Sequence, residues 1–360
     1  MFRNIFKNKK VIVTGHTGFK GSWLSLWLNN LGANVIGISN DIPTRPSFYK
    51  ALNLNKKIKD YKVDVTDLKK INKIIISNKP DFIFHLAAQS LVSLSYKIPI
   101  NTFNTNSIGT LNILESLRNL KHKCVAIFIT SDKCYQNVEW DWGYRENDRL
   151  GGKDPYSSSK AIAELMIYSY HNSLFKKNIL ISSCRAGNVI GGGDWAKDRL
   201  VPDCIRSFSK KRKVVLRNPK STRPWQHVLE PLSGYLNIAM ELYKNDKLNG
   251  ESFNFGPNTN NDYSVLEVVE QISKLWDNSI WKVEKNNKFF ESKLLKLNCD
   301  KALYNLDWKP SLEFEQTIKY TVDWYKNYYF DIKNIENFTY DQIDSYQKIA
   351  FQKKIKWTQN

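Results

Sequence analysis

The sequence predicts an α/β protein, a Rossmann-type, doubly wound parallel sheet carrying a smaller mixed α/β domain. Three observations predict it. Short apolar runs alternate with helix-patterned segments through the first half of the chain. The first of those runs leads directly into a glycine-rich stretch, TGHTGFKG. After about Asn188 the pattern gives way to segments rich in glycine, proline and charge.

The elements follow in order. KKVIVTG (Lys9 to Gly15) is a buried strand bounded by glycine, and SWLSLWLNNLG is a helix whose apolar spacing ends at Gly32, a C-terminal cap. NVIGIS is the second strand, and a third short one precedes Asp64. DFIFHLAA and CVAIFITS are further strands, each followed by a helix-like segment, and NILISSCRAGNVIG repeats the pattern. Strands separated by helices form βαβ units and so a mostly parallel sheet. Past GGGDWAKDRLVPD and RNPKSTRPWQHV come an amphipathic helix from Glu230 to Tyr243 and a strand in SFNFGP, and the remainder reads as short helices and loops. The expected division is a dinucleotide-binding domain over 1–187, with the chain returning to it around 225–257, and a second domain made of 188–224 and 258–360.

Composition narrows the function classes. With 360 residues, 42% apolar and 13% aromatic, the chain supports a large core. It has no apolar run of about 18 residues, so no membrane span is expected. MFRNIFKNKK lacks the apolar stretch and cleavage site of a signal peptide. The five cysteines are widely spaced with no C-x-x-C pair, which reads as reduced thiols in the cytoplasm and no metal site. The formal charge of +19 comes from lysines scattered along the chain, so solvated faces are expected rather than a nucleic-acid or membrane partner. The surplus still helps draw in an anionic small molecule.

Two motifs carry chemistry. Gly15, Gly18 and Gly21 lie between strand and helix, where a dinucleotide asks for a tight turn, a close approach of backbone to pyrophosphate and close helix–strand packing. The acid that would hold the adenosine ribose at the end of the second strand is replaced by Ser39-Asn40, and no arginine stands there for a 2′-phosphate. NAD is favoured over NADP on that ground, with weaker retention than where the acid is present. Asp64-Val65 lies where it would contact the adenine, or at a helix start. The second motif is Tyr156 and Lys160, one helical turn apart in DPYSSSKAIAEL, where a cation beside the phenol favours the phenolate that removes an alcohol proton. Upstream of both, FITSDKCY ends a strand in Ser131-Asp132-Lys133, an acid and an amine side by side at its opening to solvent.

Longer stretches than these match a known family. VTGHTGFKGSWLSLWL, HLAAQSLV, ITSDKCY, WGYRENDRLGGKDPYSSSKAIAEL, RAGNVIGGGDWAKDRLVPD and RPWQHVLEPLSGYL run nearly end to end. On them the chain resembles the extended short-chain dehydrogenase/reductases and, within these, the nucleotide-sugar 4,6-dehydratases, nearest the branch acting on CDP-glucose. The resemblance implies a lyase of deoxysugar and polysaccharide biosynthesis with NAD as a regenerated catalyst. Carbon 4 of the sugar is oxidised, water leaves across carbons 5 and 6, and hydride returns to carbon 6. It implies a coenzyme site of Gly15, Thr17, Gly18, Phe19, Gly21, Asp64, Val65, Ala87, Ala88, Gln89, Tyr156 and Lys160. Catalysis falls to Ser131, Asp132, Lys133, Tyr156 and Lys160.

Elimination needs a base at carbon 5 and an acid for the departing hydroxyl, roles that Lys133 without its proton and Asp132 with one would fill. A simple Asp132–Lys133 ion pair is the plainer alternative. Asn188, Arg199 and Arg223 align with family positions near the substrate pyrophosphate. His227 is grouped with them, although its segment would equally carry a structural histidine. His16 and His85 read as packing or hydrogen-bonding groups. The resemblance also implies a homodimer, or a dimer of dimers, formed by the helix after Pro99 and the helix of Lys160. A GDP-, UDP- or dTDP-linked sugar, a heptose, or an epimerase reaction remain the alternatives at this stage.

Overall fold

In the computed structural model, which describes residues 1–359 except 217, 259–262, 278 and 285–293, seven parallel strands form the central sheet. These are β1 (Lys10–Thr14), β2 (Asn34–Ser39), β3 (Lys59–Lys62), β4 (Phe82–His85), β5 (Cys124–Ile129), β6 (Ile179–Ala186) and, far along the chain, Ser252–Phe255. The spatial order is Ser252–Phe255, β6, β5, β4, β1, β2, β3. The order reverses between β1 and β4, so the crevice at their carboxyl ends is the switch point where an open α/β sheet takes a ligand. Each central strand is an unbroken apolar run, as a sheet covered on both faces requires.

Helices flank the sheet: α1 (Phe19–Asn30), α2 (Phe48–Ala51), α3 (Leu68–Asn78), α4 (Val92–Ser95), α5 (Pro99–Phe103), α6 (Gly109–Arg118), α7 (Pro155–Ser173) and α9 (Leu229–Lys244), while α8 (Leu200–Phe208) packs on the strand that follows it. The helix after Pro99 is continuous with α6 only through a turn of π-helix at Asn104–Ile108. Gly32, just past α1, has φ of 78°, the left-handed conformation of a glycine cap. Beyond the sheet, the described residues form three short ladders. Val189–Ile190 (β7) pairs with Gln226–His227 (β10), Thr222–Arg223 (β9) with Tyr263–Ser264 (β12), and Val214–Leu216 (β8) with Trp281–Val283 (β13). Ser252–Phe255 is then β11.

The C-terminal part departs from the expected short helices. After α10 (Val265–Leu275) and α11 (Asp300–Leu306) come two long ones, α12 (Phe314–Phe330) and α13 (Ile335–Gln352). Both are so polar overall that their apolar stripe is hard to see, yet Ile318, Val322, Trp324 and Tyr325 of α12 and Ile343 and Tyr346 of α13 are fully buried. Phe2 stacks on Trp357 at 4.8 Å, so the two chain ends close over α1 together.

One buried ion pair ties the layers together. Arg185 on β6 donates to Glu164 on α7 at 2.7 Å, with both side chains almost completely buried. The same carboxylate accepts from Ser183 at 2.8 Å and from Thr130 just past β5. Burial alone would raise the Glu164 carboxyl, but Arg185 and the two hydroxyls together hold it below the ordinary carboxylate range. Arg185 also donates to the Tyr135 hydroxyl at 2.9 Å and to the Glu146 carbonyl at 2.8 Å.

Removing one partner leaves the other charge buried and unpaired. Glu164→Ala is therefore expected to cost about 3–5 kcal/mol of stability, read from urea or thermal unfolding. A loss under about 1 kcal/mol would mean the pair is not a brace.

Candidate active site

The glycine loop sits at the switch point between β1 and α1. Gly15 has φ of 73°, and a side chain there would lie 2.7 Å from the Ala87 nitrogen. At Gly21 a Cβ would meet the Gly15 carbonyl oxygen at 2.2 Å. These two glycines are demanded by the protein itself. Gly18 differs, since a Cβ would approach only the Gly15 oxygen, at 3.3 Å. Gly18 is the N-cap of α1 and no side chain caps that helix, so first-turn N–H groups remain for an anion. The loop thus fits a dinucleotide pyrophosphate, with Gly18 as the residue whose bareness serves the ligand.

The neighbouring residues are already organised. The Thr17 hydroxyl donates to the Asp41 carbonyl at 2.6 Å. The Ala87 N–H donates to Thr14 Oγ1 at 3.2 Å, and Ala87 and Ala88 are half-buried at the end of β4. Phe19 is half-buried near Gly191. Asp64 accepts from the Thr66 N–H and hydroxyl at 2.9 and 2.7 Å and from Asn40 at 2.8 Å. Burial raises its carboxyl, but these donors leave it below the usual range, hence ionised. Val65 is buried in the core, with its γ-methyl where a Gly109 side chain would stand. Gln89 braces its own loop, bonded to Leu91 and Thr102 rather than held free. At the ribose end, Ser39 bonds His16 Nδ1 at 3.1 Å, and His16 Nε2 lies 3.0 Å from Asp60. His85 is held between Thr14 and Thr110 at 2.8 and 3.1 Å. Both histidines are structural and neutral, pushed down chiefly by burial, His85 to about 3.

Across the crevice, β5 delivers the acid–amine pair. Ser131 caps a single 3₁₀ turn, Asp132–Cys134, by accepting from the Lys133 N–H at 3.2 Å, and donates to Asp132 Oδ1 at 2.9 Å. Asp132 is buried, and its Oδ2 has no hydrogen-bond partner among the described residues. Burial pushes its carboxyl above the usual range, while Lys133, Ser131, Arg223 and Lys20 each pull it back. Lys133 is half-buried, and its amine makes no hydrogen bond or ion pair among the described residues.

Helix α7 brings the tyrosine and lysine. Asp154 caps it, accepting from the Ser157 N–H at 2.9 Å and the Ser157 hydroxyl at 2.6 Å, with Pro155 as the first helical residue. Tyr156 and Lys160 are both buried. Burial pushes the Tyr156 phenol up to about 12; the Ser131 hydroxyl pulls it down, Asp132 pushes it up and Arg199 pulls it down again. The Lys160 ammonium donates to the Ile129 carbonyl at 3.2 Å, and Arg199 adds a cation to the phenol's field. Burial lowers the Lys160 amine to about 8.

The nucleotide end divides. Arg199 donates to Asp194 at 2.8 Å and to Ser90 at 3.0 Å, spanning the crevice between the 190s loop and the end of β4. Asn188 and Arg223 lie half-buried on adjoining segments. His227 does not join them. It is fully buried between Trp23 and Tyr320, at centroid distances of 6.1 and 5.5 Å, and burial drives it down to about 3. It is a neutral packing group, as the alternative reading of its segment allows.

Sequence reasoning missed Lys20. Its amine is lowered to about 8 by burial, then by Lys160 and Arg199, with Asp132 opposing, so a residue of the glycine loop reaches into the catalytic field. The GFKG tetrapeptide is the signal, since a cation is unusual between two loop glycines.

The comparisons fit this geometry. The family described as GDP-mannose 4,6 dehydratase matches residues 12–321. A CDP-glucose 4,6-dehydratase of Salmonella typhimurium is 46% identical over 90% of this chain and 92% of its own length. Among solved structures, the epimerase Mth375 of Methanothermobacter thermautotrophicus superposes with a TM-score of 0.80 at 22% identity, covering 92% of this chain and 96% of the other. A dTDP-glucose 4,6-dehydratase of Bacillus anthracis, solved with NAD, gives a TM-score of 0.74 at 23% identity over 89% and 97%.

The glycines separate ligand from fold. Gly18→Val should leave the circular dichroism unchanged and abolish NAD binding by fluorescence titration, whereas Gly21→Ala should destabilise the fold. Tight NAD binding by folded Gly18→Val would remove the loop from the coenzyme site.

Proposed function

Because the chain belongs to the GDP-mannose 4,6 dehydratase family, we propose that it is a nucleotide-sugar 4,6-dehydratase, a hydro-lyase using NAD. It converts CDP-glucose to CDP-4-keto-6-deoxyglucose. The observation that carries the reading is the Asp132–Lys133 pair at the end of β5, beside Tyr156, with one carboxylate oxygen buried and unpartnered. A nucleotide-sugar epimerase needs a base at carbon 4 but no elimination pair. The choice of CDP-glucose over other nucleotide sugars is supported by the 46% identity to the Salmonella typhimurium enzyme.

The residues divide the work. The loop from Gly15 to Gly21 and the segment at Ala87 and Ala88 hold the coenzyme, and Lys160, fixed on the Ile129 carbonyl, serves it from α7. When bound, NAD supplies an acceptor for the carbon 4 hydride and the donor of hydride to carbon 6. Tyr156, in the field of the Ser131 hydroxyl, takes the carbon 4 hydroxyl proton as that hydride leaves. The resulting ketone acidifies the carbon 5 proton. Lys133 removes it. Asp132 gives its proton to the hydroxyl departing from carbon 6 as water. Burial favours the protonated carboxyl that this step needs. Because the shift is upward, the acid form is complete at low pH and is lost as pH rises through the raised value. Asn188, Arg199 and Arg223 hold the pyrophosphate, Arg by its planar fork of donors.

Assembly follows from the helix faces. Ile100 and Ile108 on the α5–α6 side are 77% and 40% exposed, and Leu165 and Tyr168 on α7 are 58% and 67% exposed. An apolar face of that kind on neighbouring helices suits an isologous twofold contact. The protein is a homodimer, or a dimer of dimers, through a four-helix contact. Five unpaired cysteines, four of them buried, fit a cytoplasmic setting.

Lys133→Met keeps the stem and removes the amine. It should still reduce the coenzyme on adding CDP-glucose, so the absorbance of the reduced form appears and persists. Overall turnover should fall roughly 100- to 10,000-fold, as for loss of one acid–base group. Dehydration near the wild-type rate would remove Lys133 from the elimination step. In Asp132→Asn the loss of elimination at high pH should disappear from the pH profile along with most of the rate. For assembly, light scattering at micromolar protein should give at least twice the chain mass of 42.0 kDa, and Tyr168→Glu should lower it; a wild-type monomer would refute the contact.

A further inference from the structure

One end of the second domain presents apolar and basic groups together, away from the crevice. The turn after α8 is Lys210, Lys211, Arg212 and Lys213, all exposed and without an ion-pair partner among the described residues. It leads directly into β8. The alternation of the β8–β13 ladder buries Val214 and Leu216 and turns Val215 outward, 42% exposed, opposite Lys282. Ile280, whose carbonyl accepts from the Val214 N–H at 2.9 Å, is 49% exposed on the same side. Four residues earlier Trp276 packs against Phe330 at 6.0 Å, and Phe330 and Ile332 at the end of α12 are 75% and 53% exposed. Among the described residues, the acids nearby are Asp277, 3.8 Å from Lys326, Glu284, paired with Lys282, and Asp331. None of them meets the four cations of the turn.

We propose that this face is a peripheral docking surface for an anionic lipid membrane, with Phe330, Ile332, Ile280 and Val215 entering the headgroup boundary and Lys210–Lys213 held against acidic headgroups. Sequence alone led to no membrane partner, because no segment spans a bilayer. In the structure, too, no helix among the described residues is long and apolar enough to cross. Lying on a surface is a different demand. It takes two weak signals together, apolar burial and a polybasic segment. Here the four cations are consecutive, but the apolar groups come from segments distant in sequence, so the combination is not visible as a motif. A nucleic acid would use the cations but would leave the exposed aliphatic groups without a role. In a nucleotide-sugar enzyme such docking would leave the crevice open, since none of these residues lines it.

The test is cosedimentation of the full chain with vesicles of phosphatidylcholine, with and without phosphatidylglycerol. The protein should partition onto the anionic vesicles, less so as salt rises. Each cation reversed in Lys210→Glu, Lys211→Glu, Arg212→Glu and Lys213→Glu should cost at least about fivefold in partitioning. Phe330→Ser should weaken binding without changing net charge. A matched set on the opposite edge, Lys62→Glu, Lys69→Glu, Lys73→Glu and Lys79→Glu, should change it far less. The proposal is overturned if anionic vesicles hold no more protein than neutral ones, or if both charge-reversed sets lose binding equally. It is also overturned if an RNA duplex displaces the protein from vesicles and binds Phe330→Ser undiminished.

Discussion

The two elements that carry the candidate catalytic groups, and β6 beside them, converge on one carboxylate. Glu164 lies one turn beyond Lys160 on α7, accepts from Thr130 next to Ser131, and pairs with Arg185 on β6. Because each bond is short and buried, α7 can neither slide nor rotate against the end of β5 without leaving a charge unpaired. That fixes Tyr156 and Lys160 opposite Ser131, Asp132 and Lys133. The Arg185 contact to Tyr135, which in turn donates to Asn254 at 2.7 Å, extends the brace to the segment after the catalytic turn and to β11.

The dryness that strengthens this brace also sets the titration of the site. Burial is the first cause for Tyr156, Lys160 and Asp132 alike, and it disfavours the charged form of each. The consequences for stability have opposite signs. Lys160 is lowered, so the unfolded chain binds the extra proton between about 8 and the ordinary lysine value. Stability therefore rises with pH across that window. Tyr156 is raised to about 12, so the folded chain keeps the proton that the unfolded chain loses above its ordinary value near 10. Its contribution then falls as pH rises. Asp132 behaves like Tyr156 at the acid end, costing stability once pH passes the ordinary aspartate value. The rest of the fold holds these groups where their charged forms are disfavoured, which is how a carboxyl group comes to keep its proton.

Much of this is legible in the sequence because it is local. The glycine loop, the capped start of α7, the Tyr156–Lys160 spacing and the Ser131–Lys133 triplet each lie within a few residues, where turn chemistry and helical period decide the geometry. What was not legible depends on pairs far apart in the chain. Nothing in RAGN announces that Arg185 meets Glu164, or that Arg199 reaches back to Ser90. His227 shares a motif with Arg223, yet a two-residue strand turns it into the core against Trp23. The last two helices escaped notice because their buried residues are aromatic and thinly spaced among charges.

The central claim is that Tyr156, Asp132 and Lys133 form one site that oxidises and then eliminates. The most direct measurement is mass spectrometry and NMR of the product formed from CDP-glucose and NAD in deuterium oxide. The account predicts a product lighter by one water, with a carbonyl at carbon 4 and a single deuterium from solvent at carbon 5. A product of unchanged mass with carbon 4 inverted, or a dehydrated product carrying no solvent deuterium at carbon 5, would contradict it.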